Sequence, residues 1–322
     1  MSDSGLPGLK TQISKKACDL RHFARNVVPF QNARTALKAF LIDLGFTSDD
    51  EILLPSYIGW SSREGSGVFD PIREVGTKFS FYRMTRNLSI DLDDLHNKLH
   101  TLRPKLLIVI HYFGYPDKTL SEVITMARDH GTLVLEDEAH ALYSDWIGGI
   151  CGRTGDVAIM SLHKMLPFES GGLLVLNNFM GTEILERLKH SSLRKPLEYN
   201  PLDYDLLGIS LKRRDNTNRL LELLCTLQGK VDPLFPAVPE GVVPQTLPVL
   251  ILNRPRDTLY FELNNLGYGV VSLYHTLIEP IREADFPESH WLSKRILNLP
   301  VHQDASVEML EAMVVQIAGL VA

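Results

Sequence analysis

Apolar and polar positions along the 322-residue chain follow two periods, and the switching between them outlines a fold. In ARTALKAFLIDLGF, residues Ala33, Leu37, Phe40, Leu41 and Leu44 share one helical face, and the pattern stops at Gly45. EILLP (51–55) is a short apolar run ended by proline. TKFSFY (77–82) alternates as a strand does, and DLDDLHNKLH behind it reads as a helix with an acidic start. The series continues with KLLIVIHYFG (105–114), a helix around TLSEVITMARDHG, then TLVLED (132–137), DVAIMSL (156–162) and GGLLVLNN (171–178). Short apolar runs alternating with helical patterns predict an α/β fold, a mostly parallel sheet sandwiched by helices. The last two runs lie close together, so one of them is expected to run antiparallel.

The pattern changes at VDPLFPAVPEGVVPQTLPVL (231–250), where Pro233, Pro236, Pro239, Pro244 and Pro248 predict an extended connection. Beyond it, LPVLIL, a helix around DTLYFELNNLG, YGVVSLY, ILNLP and a final helix (305–321) predict a smaller C-terminal α+β unit. The expected division is a large domain over 1–235 and a small one over 236–322.

Composition narrows the class. Hydrophobic residues make up 44% and charged residues 22%, as in a soluble enzyme. A net charge of -6 does not recruit nucleic acid or an anionic membrane, so an anionic ligand must be held by local groups. Cys18, Cys151 and Cys225 have no metal or disulfide spacing, which predicts reduced thiols and a cytoplasmic setting. MSDSGLPGLKTQISKK lacks the apolar core of a signal peptide, and no run has the length of a membrane span.

In a parallel α/β sheet, ligands gather at the carboxyl ends of the strands, and four pieces of sequence end there. The helix start at Ala33-Arg34-Thr35 offers free N–H groups and a hydroxyl that suit a phosphate; the alternative is that Asn32 or Thr35 only caps the helix. In PSYIGWSS (55–62), Tyr57 or Trp60 is an aromatic suited to stacking on a flat ring, or else to the core. In VLEDEAHALYS, Asp137 closes a strand where a carboxylate can hold a proton on a ring nitrogen, with His140 one turn on. A metal site on Glu136, Asp137, Glu138, His140 and His111 competes with that reading, but consecutive carboxylates point in different directions, and no metal is expected. In SLHKMLPFESGG, Ser161 ends a strand and Lys164 sits in the following turn, where desolvation and nearby positive charge turn a lysine into a nucleophile for aldehydes. It is the only lysine between Gly148 and Val175. A phosphate cradle, an aromatic face, a carboxylate for a pyridine nitrogen and an aldehyde-capturing lysine together describe a site for pyridoxal 5′-phosphate (PLP).

At these motifs the sequence resembles the DegT/DnrJ/EryC1/StrS aminotransferases, a branch of the fold-type I PLP enzymes. NARTALKAFLIDLG with DDEILLPSYIGWSS is similar to the family's helix start and following strand. LLIVIHYFGYP, TLVLEDEAHAL, SLHKMLPFESGGLLV and ILNLPVHQDASVEMLEAMV are similar to further family segments. The resemblance implies that Lys164 bonds the cofactor aldehyde and Asp137 binds the pyridine nitrogen, with His140 against the ring. It also implies that Ser161, Thr35 and the backbone at Arg34 hold the phosphate. Trp60 is implied near the ring, although Gly59 is an equal match for the stacking position. Asn200 in LEYNP is similar to an asparagine that, in relatives, reaches the phosphate of the partner subunit. The implied protein is a homodimer moving an amino group, usually from glutamate, to a keto-sugar carried on a nucleotide. Soft candidates in the small domain are Tyr274 and His275. The competing readings are a PLP-dependent sugar dehydratase or lyase and a non-catalytic regulator that binds the cofactor or a sugar nucleotide.

Overall fold

The structure, a computed structural model, describes residues 25–177 and 182–322; the N-terminal segment read above, with Cys18, and Asn178 lie outside them. The large sheet contains β1 (Asn26–Phe30), β2 (Glu51–Pro55), β3 (Lys78–Tyr82), β4 (Leu106–Ile110), β5 (Leu133–Asp137), β6 (Val157–Ser161) and β7 (Gly172–Leu176). Their spatial order is β1-β7-β6-β5-β4-β2-β3. Strands β2 to β6 pair in parallel, and β7 pairs antiparallel with both β6 and β1, as the close spacing of the last two apolar runs predicts. Strands β4, β6 and β7 are buried at every residue. That explains why they read as continuous apolar runs, since both faces of the sheet are covered.

The helices are α1 (Ala33–Asp43), α2 (Phe69–Val75), α3 (Leu92–Leu102), α4 (Leu120–Asp129), α5 (Leu142–Trp146), α6 (Thr182–Lys189), α7 (Leu206–Leu224), α8 (Arg256–Asn265), α9 (Pro287–Ser293) and α10 (Val307–Val321). The face read for α1 is the buried one at Leu37, Phe40 and Leu41, whereas Ala33 and Leu44 at its ends are half-buried. Leu95 and Leu99 of α3 are buried one turn apart, and Asp91 caps that helix through the amide of Asp94.

Strand β1 was not foreshadowed by periodicity, because Pro29 interrupts it. Pro has no N–H for a ladder, and it is tolerated here because β1 is an edge strand. A second sheet, β8 (Val231–Pro233), β9 (Thr246–Ile251) and β10 (Ile296–Pro300), is antiparallel in the order β10-β9-β8. It shares a second apolar core with α7, α8 and α10, which includes Leu220, Leu224, Leu259, Leu263, Leu310 and Ile317. YGVVSLY contributes only an isolated bridge, Val271 to Asn298. Gly269 and Tyr274 both take positive φ there, so the chain turns and carries Tyr274 toward the large sheet. Among the described residues, no helix is long and apolar enough to cross a membrane.

Candidate active site

A cavity of about 510 Å³ opens at the carboxyl ends of β4, β5 and β6, between the start of α1, the loop after β2 and the segment Ser272–His275, which follows α8. Its floor is built by local rules. Asn32 is extended (φ −158°, ψ 171°) and caps α1 by accepting from the Thr35 amide at 2.8 Å and the Thr35 hydroxyl at 3.0 Å. The first intrahelical bond runs from Ala36 N–H to the Asn32 carbonyl. The amides of Ala33 and Arg34 are therefore left without an intrahelical acceptor, at the positive end of the helix dipole. Both residues line the cavity.

Gly172 lets α1 begin so close to the sheet. A Cβ there would lie 2.1 Å from the carbonyl carbon of Asn32 and 2.4 Å from the nitrogen of Ala33. Gly172 is paired in register with Ser161, so the same close approach brings the free amides beside the end of β6.

The three consecutive carboxylates at the end of β5 point to three places. Glu136 accepts from Gly152 and Gly155 amides, each at 2.6 Å, and meets His111 Nε2 at 2.8 Å. Asp137 lines the cavity, with Oδ1 accepting from the Ala139 amide at 2.8 Å. Glu138 is buried away from the cavity among Gly152, Cys151 and Asp145. Burial pushes the Asp137 carboxyl up from its ordinary value, against the Ala139 amide, Lys164 and His111, which favour the carboxylate.

Lys164 follows β6 in a tight turn, closed by Met165 and Leu166 amides donating to the Leu162 carbonyl. Its Nζ is 3.2 Å from Nε2 of His140. The side chain is exposed through the cavity mouth, but protein surrounds the amine on its other sides. That burial lowers its pKa, as does Arg34, while Asp137 and Glu64 oppose the shift. His140 is buried, and burial followed by the charge of Lys164 pushes its ring well below the usual histidine range. His163 also faces the cavity, but its Nδ1 is engaged with the Ser161 hydroxyl at 3.1 Å.

Of the residues read from sequence, Arg34, Trp60, Asp137, His140, Ser161 and Lys164 converge on this one cavity, with Tyr274 and His275. Thr35 and Asn200 are not among the lining residues. The Thr35 hydroxyl turns to Asn32, and Asn200 caps a short turn by accepting from the Leu202 amide at 3.1 Å. The aromatic alternatives separate as well. Trp60 is 45% exposed at the cavity, whereas Tyr57 is wholly buried and stacks on Tyr274 with centroids 5.2 Å apart. Arg63 and Glu64 line the cavity too; they lie in a loop with no sequence signal beyond polarity.

PLP presents a dianion, an aldehyde and a pyridine nitrogen. The cavity answers with the free amides of α1 and the Ser161 hydroxyl, the Lys164 amine, and the Asp137 carboxylate, so the donor set fits the group. The model of the DegT/DnrJ/EryC1/StrS aminotransferase family matches residues 10–212. The UDP-4-amino-4-deoxy-L-arabinose–oxoglutarate aminotransferase of Shewanella sediminis is 30% identical over 178 residues, 54% of this chain and 44% of that protein. The matched segment thus spans less than half of that enzyme. Among solved structures, the aminotransferase TlmJ of Streptoalloteichus hindustanus superposes with a TM-score of 0.74 at 23% identity, covering 92% of this chain and 87% of that one. The structure of NtdA from Bacillus subtilis with bound PMP superposes with a TM-score of 0.71 at 15% identity, covering 91% and 73%. With more than half its length matched by that family model, the chain belongs to the DegT/DnrJ/EryC1/StrS family of PLP-dependent aminotransferases.

Proposed function

We propose that this chain moves an amino group from an amino acid, glutamate first among donors, to a keto-sugar, using the cavity at the ends of β5 and β6 as its active site. The observation that carries this reading is the convergence of the Lys164 amine, the Asp137 carboxylate and the free amides of α1 on one cavity. When bound, PLP supplies an electron sink for the charge left at the donor α-carbon. The other roles belong to the chain. The Ala33 and Arg34 amides and the Ser161 hydroxyl bind the phosphate, and Asp137 holds a proton on the pyridine nitrogen. Lys164 would bond the aldehyde and, once released from it, would hold and move the proton at the donor α-carbon. His140 orients the Lys164 amine.

Arg34 and Arg63 at the cavity support an anionic acceptor, a sugar linked to a nucleotide. A dimeric enzyme is supported by an exposed apolar strip, Tyr199, Leu207 and Leu211, which flanks Asn200 in sequence. In that reading Asn200 serves the partner's site, which accounts for its distance from this one.

The test is the visible spectrum of the purified protein with PLP, before and after glutamate, beside Lys164→Ala. A yellow band that glutamate bleaches, and that the variant does not form, is the expected result. A band that glutamate leaves unchanged would favour a lyase, and no band in the wild type would sink the proposal.

A further inference from the structure

We propose that His111, Glu138 and Cys151 form a buried site for a divalent metal ion of the zinc class, beneath the cofactor cavity and separate from it. One ring nitrogen of His111, one oxygen of Glu138 and the sulfur of Cys151 all lie within 4.8 Å of one another. An ion at the centre of such a triangle is at most about 2.8 Å from each atom, so movements of about 0.5–0.8 Å bring all three to zinc-ligand distances.

Two observations on these side chains point to a cation as their partner. Glu138 has no exposed surface, no nitrogen or hydroxyl donor reaches either of its oxygens, and its nearest donor is the weak Cys151 thiol. Burial and the charges of Asp145 and Glu136 push its carboxyl well up, and Nδ1 of His111 is buried without a partner. Native structures rarely leave buried polar atoms unsatisfied, and a buried carboxylate is the costliest of these. The neighbouring acids are satisfied by protein groups. Asp145 pairs with Arg25 and with Arg153, and Glu136 takes His111 and the amides of Gly152 and Gly155. Among the described residues of this cluster, Glu138 has no ion pair and only the Cys151 thiol as a donor.

The ligand types select the metal. Imidazole, thiolate and carboxylate together suit zinc and its neighbours in the first transition row, and do not suit calcium or magnesium, which take oxygen ligands. The second ring nitrogen of a metal-bound histidine is ordinarily held by a carboxylate. His111 has that support in Glu136, at 2.8 Å through Nε2, and Glu136 is itself fixed by the loop amides. Three protein ligands leave one tetrahedral position for water.

The three ligands come from three separate segments: the end of β4, the residue after β5, and the loop before β6. A set drawn from three segments does not require consecutive carboxylates of β5 to converge. Binding would release the Cys151 thiol proton and any proton on Glu138 to solvent, and would tie the loop to the strand ends that present Asp137. His111 already donates its backbone N–H to the Asp137 carbonyl at 3.0 Å, so the clip bears directly on where that carboxylate stands.

The experiment uses the untagged full chain with PLP bound. Elemental analysis after growth with zinc should find about one zinc per chain. Glu138→Ala and Cys151→Ser should each lower that content by at least about tenfold, while Cys225→Ser, at an exposed thiol, should keep it. Replacing the metal with cobalt(II) should produce a thiolate-to-cobalt absorption band that Cys151→Ser abolishes. The cofactor band of each variant reports whether it has folded, and the wild-type cobalt spectrum decides the matter even if a variant does not fold. A wild type with neither stoichiometric zinc nor a cobalt–thiolate band overturns the proposal, and so does metal that persists in both ligand variants.

Discussion

The Nζ of Lys164 lies 3.2 Å from Nε2 of His140, while Nδ1 of the same ring accepts from the Phe113 amide at 3.4 Å. A neutral imidazole has one N–H and one lone pair. With Nδ1 accepting, Nε2 carries the proton and donates it toward Lys164, which must then offer a lone pair of its own. Both contacts are satisfied at once when Lys164 is neutral. Burial acts in the same direction on both groups, lowering the pKa of the lysine and of the histidine. A neutral amine is the form that attacks an aldehyde.

This pairing makes a prediction about pH. The rate at which the apoprotein takes up PLP should rise with pH through a midpoint below the ordinary lysine value, because burial favours the uncharged amine. His140→Leu removes the donor that stabilises the neutral form, so the midpoint should move upward. Following the yellow band in stopped flow across the pH range measures both. An unchanged midpoint in the variant would remove His140 from this role.

Asp137→Asn should retain PLP through Lys164 but lose the charge that holds a proton on the ring nitrogen. A hydrogen bond to a charged group is worth about 1.5–3 kcal/mol, so glutamate should bleach the band about 10- to 100-fold more slowly in single-turnover measurements. Asp137 also raises the pKa of Lys164, so the uptake midpoint in this variant should fall. That is opposite in sign to the His140 variant.

Gly172→Ala places a methyl group 2.1 Å from the backbone of Asn32 and must push α1 off the strand. Overpacking of this kind typically costs about 1–3 kcal/mol. The urea midpoint should fall accordingly, and PLP affinity should fall with it, because the displaced amides are those proposed for the phosphate. A variant that loses stability yet binds PLP with wild-type affinity would show that the cradle lies elsewhere.

Tyr274 reaches the cavity from the segment after α8 with φ of 59°, stacks on Tyr57 and meets Tyr112 edge-on at 5.3 Å. Tyr274→Ala should lower stability by about 2 kcal/mol through the lost ring contacts. Tyr274→Phe should lie close to wild type, since no hydrogen bond from the phenol is needed for that packing. Denaturation of the two variants side by side separates ring from hydroxyl.

Much of this protein was legible in its sequence because burial imposes periodicity. Strands covered on both faces are largely apolar, so β2, β4, β5, β6 and β7 could be read directly, as could the amphipathic helices α1, α3 and α4. Asp137, Ser161 and Lys164 were legible for a related reason, since they stand where apolar runs end and such ends face ligands in a parallel sheet. Other elements follow no local rule. Helix α7 buries Arg213, Asn216 and Thr217, which breaks its apolar pattern. Their partners are backbone carbonyls distant in sequence or one turn back: Arg213 donates to Gln245, Asn216 to His302 and Thr217 to Arg213. The meeting of Tyr274 with Tyr57, the clearance that Gly172 gives to Asn32, and the approach of Glu138 to His111 and Cys151 likewise join residues far apart in the chain. Sequence determines which residues must leave water and where each run of them stops. Only the tertiary structure decides which distant polar groups then face one another, because a hydrogen bond or a ligand set depends on ångström-scale placement that no periodicity along the chain encodes.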